Sequence, residues 1–445
     1  MKKFNKDKYL KKLKLKRFWQ NNSRYFYIGV PCILCGILGI YFAYSKFFVT
    51  QEDAVVQTSV GNFVYGDVII NNYVNGQYTV EAPARGTGYK VDKIVCDNGA
   101  TATWDSKDWG PTISNVTRRS KCNIYFVDAE KVNIGNVAVP LDDYGLCPTV
   151  NADGTVTVTE AESQYGYLCK AKDAYGDSYY YRGNVTNNYV KFAGFYWRII
   201  RINGDGTVRV IYDGTSAHAN GESSTDRQIG TSAFNSRYDD NAYVGYMYGK
   251  TDASTYAETH ANTNNSVIKT YLDTWYENNI KGTANEQYIA DNIFCNDRSL
   301  ASNNTGTGAD TSVTYYRWYN SAGTTQNSKM MLTCPQKNDA FTVNDTTKGN
   351  GALTYGIGLL TTDEVALAGG WSSDNLNYYL YSGQDYCLAS PDSFDVAGGF
   401  ANGRYVDSDG SLGTIGNPFG ARPVLNLSSD VLKNGNGTAS DPYHA

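Results

Sequence analysis

The chain is poor in the residues that most enzymes and nucleic-acid binders depend on. Its 445 residues include only three histidines, His218, His260 and His444, and none stands at metal-ligand spacing to a partner. Each reads as a solvated loop residue. No GxSxG, no HExxH and no phosphate-cradling glycine loop occurs, so the common hydrolase and nucleotide-binding signatures are missing. Of the 39 Lys and Arg, ten lie within the first 24 residues, where Asp7 is the only acid. The remainder is therefore acidic and carries no basic patch, which excludes nucleic acid as an expected partner. Residues 25–45 contain no charge at all.

That uncharged stretch has the length needed to cross a hydrocarbon core, and the basic run before it places the N-terminus on the cytoplasmic side. The alternative is a cleaved signal peptide. The uncharged run is long and no small-x-small cleavage site follows it, which favours a retained anchor. The expected organisation is a basic cytoplasmic tail (1–24), a transmembrane helix (25–48), and everything beyond about residue 50 outside the cell, in the cell membrane by a single pass. Cys32 and Cys35 lie inside the expected helix and form a CxxC by spacing alone.

Outside the anchor, an oxidising compartment turns cysteines into a disulfide framework. Proximity pairs Cys96 with Cys122, Cys147 with Cys169 and Cys295 with Cys334, leaving Cys387 free. Thirty-eight tyrosines and 44 glycines, with Asn and Thr abundant, suit β-rich extracellular domains. Residues 52–130 alternate apolar and polar side chains between turn residues, which predicts a small β-sandwich spacer with Trp104 and Trp109 packed beside its disulfide. Residues 131–189 read as disulfide-linked transitional strands, and the cluster at 179–181 as one side of a sheet. From residue 190 two apolar strands meet at Asn203-Gly204-Asp205-Gly206, a strong hairpin signal. The periodicity of 265–280 predicts an amphipathic helix stopped by Lys281-Gly282. A second helix follows, capped by Thr362, with Asp363 and Glu364 in its first turn and Gly369-Gly370 as its stop. Residues 285–293 read as a further helical turn and 296–352 as a long irregular insertion.

The last third holds three strand-like runs, at 378–391, 403–406 and 422–427, separated by loops dense in Gly, Ser, Asp, Asn and Phe. Loops of that kind on a strand framework are how a binding face is built. Phe394 and Phe400 are aromatic residues among small polar ones, the composition of an adaptable paratope and equally of a surface for sugar rings. Ser373-Asp374-Asn375 and Asp407-Ser408-Asp409-Gly410 offer oxygens to calcium but also read as ordinary turns. Arg422, beside Pro423, reads as framework paired with Asp430.

FYWRIIRINGDGTVRVIY, GLLTTDEVALAGG, the Ser390-Pro391 pair and GARPVLNLSSDVLKNGNGTASDPY together resemble bacterial membrane-anchored surface proteins with a C-type-lectin-like domain. That fold is similar to the one shared with formylglycine-generating-enzyme relatives. The resemblance covers about residues 145–445. It implies an α+β domain at 190–445 whose ligand face is built from loops before the last strand. Gly420 to Val424 match the fixed strand of that pattern. Ser393, Phe394, Asp395, Val396, Ala397, Phe400, Asn402 and Arg404 would line the variable part. Cys387-Leu388 departs from the pattern, where an aromatic is usual. A formylglycine-type oxidase needs paired reactive cysteines, and Cys387 has no partner in sequence.

The expectation is a non-catalytic surface receptor or adhesin for an extracellular protein or glycan, with no cofactor and no metal. The alternatives are a display protein without a defined ligand, and an enzyme acting on envelope glycans.

Overall fold

The computed structural model describes residues 11–17 and 68–445, except 107, 118, 143, 159–163, 301–304, 308–309, 312–328, 371–374, 396–399, 408–411 and 415–417. The expected membrane span at 25–48 lies outside the described residues, as does most of the basic tail, of which 11–17 are helical. Among the described residues no helix is long and apolar enough to cross a membrane. The chain is mostly β-sheet with few helices. Its residues divide into two compact units, one formed by residues up to Ala82 together with Val91–Tyr125, the other by Pro83–Lys90 and Phe126–Ala445.

The first unit is built on β1 (Val68–Val74), β2 (Gln77–Thr79), β3 (Tyr89–Cys96) and β6 (Ser120–Asp128), in the order β2-β1-β6-β3. Asn75 and Gly76, both at positive φ, make the tight turn that pairs Val74 with Gln77. A separate hairpin of β4 (Thr101–Asp105) and β5 (Gly110–Ser114) sends Ala102 and Ile113 into a small core with Cys122, Val68, Ile70 and Ile94. The Cys96–Cys122 disulfide ties the neighbouring strands β3 and β6. Trp104 and Trp109 do not pack there. They are half-buried and meet edge to face at 5.3 Å.

The second unit holds an antiparallel sheet ordered β7-β8-β10-β11-β18-β13, from β7 (Gly166–Asp173), β8 (Gly176–Gly183), β10 (Phe195–Ile202), β11 (Val208–Gly214), β13 (Ile357–Gly358) and β18 (Val424–Leu427). β9 (Tyr189–Phe192) pairs with β10. The apolar run after residue 190 thus makes three strands, since Ala193 and Gly194 take positive φ and turn the chain early. The strands β7 and β8 lie in this same sheet, and Ile134 and Val139 of the preceding hairpin belong to the same core. Leu168, Tyr181, Trp197, Ile199, Val210, Ile211, Val424 and Leu425 fill that core at 2 % exposure or less. The β10–β11 turn closes with Asn203 N donating to Thr207 O at 2.8 Å. Asp205 Oδ1 accepts from the Thr207 hydroxyl at 2.6 Å.

Helix α1 (Val267–Asn279) is capped by Ser266, whose hydroxyl accepts from Lys269 N. Ile268, Leu272 and Tyr276, at i, i+4 and i+8, are its buried stripe. Lys269 shares that stripe and is neutralised by Asp273 one turn on, Nζ to Oδ2 2.6 Å. Helix α2 (Thr362–Ala368) starts one residue earlier than its spacing suggested, at a capping box of Thr361 and Glu364, and ends at Gly369 with φ 115°. Residues 286–288 form a short 3-10 turn.

A second sheet runs β12-β17-β14-β15-β16, from β12 (Thr231–Ser232), β14 (Tyr386–Asp395), β15 (Phe400–Val406), β16 (Leu412–Thr414) and β17 (Phe419–Gly420). The strand-like run at 378–391 therefore becomes strand only from Tyr386. Tyr378, Tyr379 and Leu380 are completely buried instead, and the carbonyls of residues 379–381 accept from Arg227 and Arg422. A sheet strand would spend those carbonyls on its neighbour. Arg422 pairs with Asp213 and not with Asp430, which is exposed and held by Lys433. The Cys147–Cys169 and Cys295–Cys334 disulfides are both formed, and Cys387 is free and buried.

Two histidines are not solvated. His218 is 5 % exposed between Glu222 (2.8 Å from Nδ1) and Asp226 (3.1 Å from Nε2). His260 is 1 % exposed against Tyr256, and burial followed by the nearby Arg298 pushes its imidazole down to about 3. It is a neutral core residue.

Candidate ligand-binding face

The face is formed where strand β15 meets the segment following β12. That segment reads AFNSRYDDNAYV over 233–244. Asp240 caps a 3-10 turn at Asn241–Val244 by accepting from Ala242 N at 2.8 Å. Its second oxygen accepts from Asp252 N at 2.7 Å. With the turn fixed, the chain before it lies alongside β15, and Ala401 N donates to Tyr238 O at 2.6 Å. Phe234, 7 % exposed, roots the segment in the main core.

The consequence is an open groove of about 200 Å³ between the two pieces. Asn235, Ser236, Arg237 and Tyr238 line one side and Ala401, Asn402 and Gly403 the other, with Tyr243 and Pro418 also contributing. Tyr238 stacks on Phe400, ring centroids 5.1 Å apart and planes 30° from parallel. The two rings remain 50 % and 45 % exposed. Arg237 and Asp239 form an exposed ion pair, with Nε donating to Oδ1 at 3.1 Å and a second contact from Nη2 to Oδ2. Asn235 donates to Tyr243 O at 3.4 Å. Asn402 reaches only the Phe400 carbonyl among the described residues, at 3.5 Å.

The residues expected on the face fare differently. Phe400 and Asn402 belong to it. Ser393 and Phe394 are half-buried in β14, where Phe394 lies between Ala401 of β15 and Asp310 of a short strand. Asp395 ends β14. Val396 and Ala397 lie outside the described residues, as do Ser373, Asp374 and residues 408–410. Arg404 is not a contact residue: it is 2 % exposed and ion-paired with Asp392 at 2.5 Å. Burial pushes the Asp392 carboxyl up; the Arg404 guanidinium opposes that, and the Ser393 hydroxyl adds a bond at 2.9 Å. The sequence reading missed Tyr238, Arg237 and Asn235. Their signal was of the kind that marked Phe400, an aromatic residue among small and polar ones.

A second concavity, with room for a single water, is lined by Arg201, Arg209, Asp297, Asp363, Glu364 and Ser390. Glu364 Oε1 lies 3.3 Å from Arg201 Nε and 2.6 Å from Arg209 Nε. Burial alone would raise its carboxyl; Arg209 and then Arg201 outweigh that and hold it below the ordinary range. This cluster joins the α2 N-terminus to the main sheet. Among the described residues no group of three or more His, Cys, Asp or Glu side chains is arranged to hold a metal ion.

Fold and site together describe a mainly β protein that presents two stacked aromatic rings beside a polar, shallow groove. No family model, no curated protein and no solved structure matches the chain.

Proposed function

We propose that this is a recognition protein, displayed on a cell surface from an N-terminal membrane anchor, that binds an extracellular ligand through the groove between residues 234–243 and β15. In this reading the second unit is a C-type-lectin-like domain whose sheet of β14 and β15 holds out the ligand face. One observation carries the proposal. Tyr238 and Phe400, brought together from distant parts of the chain, stack on each other and are left half-exposed on the rim of a groove. Stacked aromatic rings gain stability by being covered, so a rigid pair kept in solvent is a surface prepared for a partner. The polar rim and the secured backbone fit recognition by side chains.

The test is a glycan and surface-protein array probed with the purified full chain, with and without calcium. A discrete ligand whose signal is lost on Tyr238→Ala and Phe400→Ala, with unchanged circular dichroism, supports the reading. A ligand that binds both variants as well as the parent chain would move the site elsewhere. A blank array from folded protein favours the display reading, and turnover of an envelope glycan favours the enzyme.

A further inference from the structure

We infer that the ligand of this groove is a neutral saccharide, seated as one pyranose-sized unit and bound without calcium. The inference rests on the recognition reading above and names the chemistry of its ligand.

Charge is the first argument. Among the described residues Arg237 is the one charged residue lining the groove, and Asp239, two residues on, neutralises it through a two-point contact. An anionic ligand would have to displace Asp239, and a cationic one would meet the guanidinium. An uncharged ligand meets neither cost.

The second argument is what remains open for bonding. Two backbone groups of the groove are committed: Ala401 N is taken by Tyr238 O, and Tyr243 O accepts from Asn235. Strand β15 has β14 along one side, while on the other β16 pairs only with Arg404–Val406. A peptide adding itself as a further strand would find Ala401 N already taken, at the start of the stretch that lines the groove. The side chains that remain are the Asn402 amide and the Ser236 hydroxyl, with the second N–H of the Asn235 amide, whose oxygen accepts from Ser236 N at 3.2 Å. Amides and hydroxyls both donate and accept, which is what vicinal sugar hydroxyls require.

Shape supplies the third. The groove holds about 200 Å³, a volume for one ring and not for an extended chain. Beside it are the exposed Tyr238 and Phe400 rings, and a π-face attracts the polarised C–H bonds on the apolar side of a pyranose. Among the described residues no carboxylate lines the groove, and the polar groups named here can reach a sugar directly.

The experiment is saturation-transfer NMR on the full chain with a panel of methyl pyranosides of neutral hexoses and N-acetylhexosamines, the matching hexuronates, and a peptide library. Each is run with calcium and again with EDTA. The expected result is transfer to the ring C–H protons of a neutral pyranoside, unchanged by EDTA. Phe400→Ala should weaken that affinity about tenfold, the scale of one lost aromatic contact. Asn402→Ala should weaken it too, whereas Tyr78→Ala, an exposed tyrosine of the first unit, should not. Preference for a hexuronate, or loss of transfer in EDTA, overturns the neutral, calcium-free class. Peptide binding that disappears in Phe400→Ala, with no sugar bound, also overturns it while leaving the recognition reading intact. No binding of any probe by folded protein overturns both.

Discussion

Arg422 Nη2 lies 3.0 Å from Asp213 Oδ1, an oxygen that also accepts from Arg227 Nε at 2.8 Å. All three side chains are at 1 % exposure or less. One carboxylate thus serves two guanidiniums inside the protein, and the remaining donors go to carbonyls. Arg422 reaches Tyr212 O and Leu380 O; Arg227 reaches Glu222 O, Tyr379 O and Tyr381 O. The bend at 378–381 is held on these bonds, and β14 and the candidate face follow directly from it. Burial lowers the Arg422 pKa from its ordinary value, so the guanidinium depends on this cage.

Removing the shared carboxylate should therefore be severe. Asp213→Asn leaves two buried guanidiniums with one acceptor fewer and no counter-charge, a loss of about 3–5 kcal/mol. Denaturant unfolding measures it. Arg422→Lys should cost a similar amount, because an ammonium cannot reach Tyr212 O, Leu380 O and Asp213 together. If Arg422→Lys unfolds within about 1 kcal/mol of the parent chain, the cage does not hold the bend.

Glu364 makes stability pH-dependent in a defined direction. Its carboxyl is held below the ordinary value by Arg209 and Arg201 against the cost of burial. A depressed carboxylate contributes stability that is fully present above its unfolded pKa and is lost as pH falls through the folded one. The loss belongs below about pH 4.5, the ordinary glutamate range. Unfolding midpoints measured from pH 7 to pH 3 should fall more steeply in the parent chain than in Glu364→Gln, which starts lower. Parallel curves would mean that the pair is not what fails in acid.

How much of this was legible in sequence depends on the distance over which each feature is determined. Helix α2 was readable because its cap, its Asp363-Glu364 turn and its Gly369 stop are neighbours. The β10–β11 hairpin was readable from Asn203 to Gly206 for the same reason. The buried role of Glu364 was not, since its partners Arg201 and Arg209 lie on another element. The face at β15 was only partly legible. Phe400, Asn402 and Arg404 share one parity and hence one face, yet Phe400 is exposed and Arg404 buried, because the strand runs from the rim into the core beside Asp392. Tyr238 escaped for want of any local link to Phe400. Their contact exists only once the Asp240 cap has laid residues 234–240 along β15.

The free thiol should be silent. Cys387 is 1 % exposed, and burial pushes its thiol up to about 12. Under native conditions a maleimide should leave the Cys387 peptide unlabelled by mass spectrometry, while denaturation without reductant should label it fully. Native labelling within minutes would show that β14 opens.

Core and face should separate in stability as they do in exposure. Trp197 is fully buried, with its indole N–H donating to Phe192 O at 3.0 Å, and it meets Tyr212 and Trp275 edge to face. Trp197→Ala removes a whole core aromatic, at about 3–5 kcal/mol. Phe400 is half-exposed and touches Tyr238 by stacking, so Phe400→Ala forfeits only about 0.5–1.5 kcal/mol. Thermal unfolding of the two variants side by side tests the distinction. A Phe400→Ala loss approaching that of Trp197→Ala would make the ring a structural pin for residues 234–240, and its exposure would no longer argue for a ligand. A small loss means the stacked pair can be removed without disturbing the fold, so any binding lost with it is binding lost at the face itself.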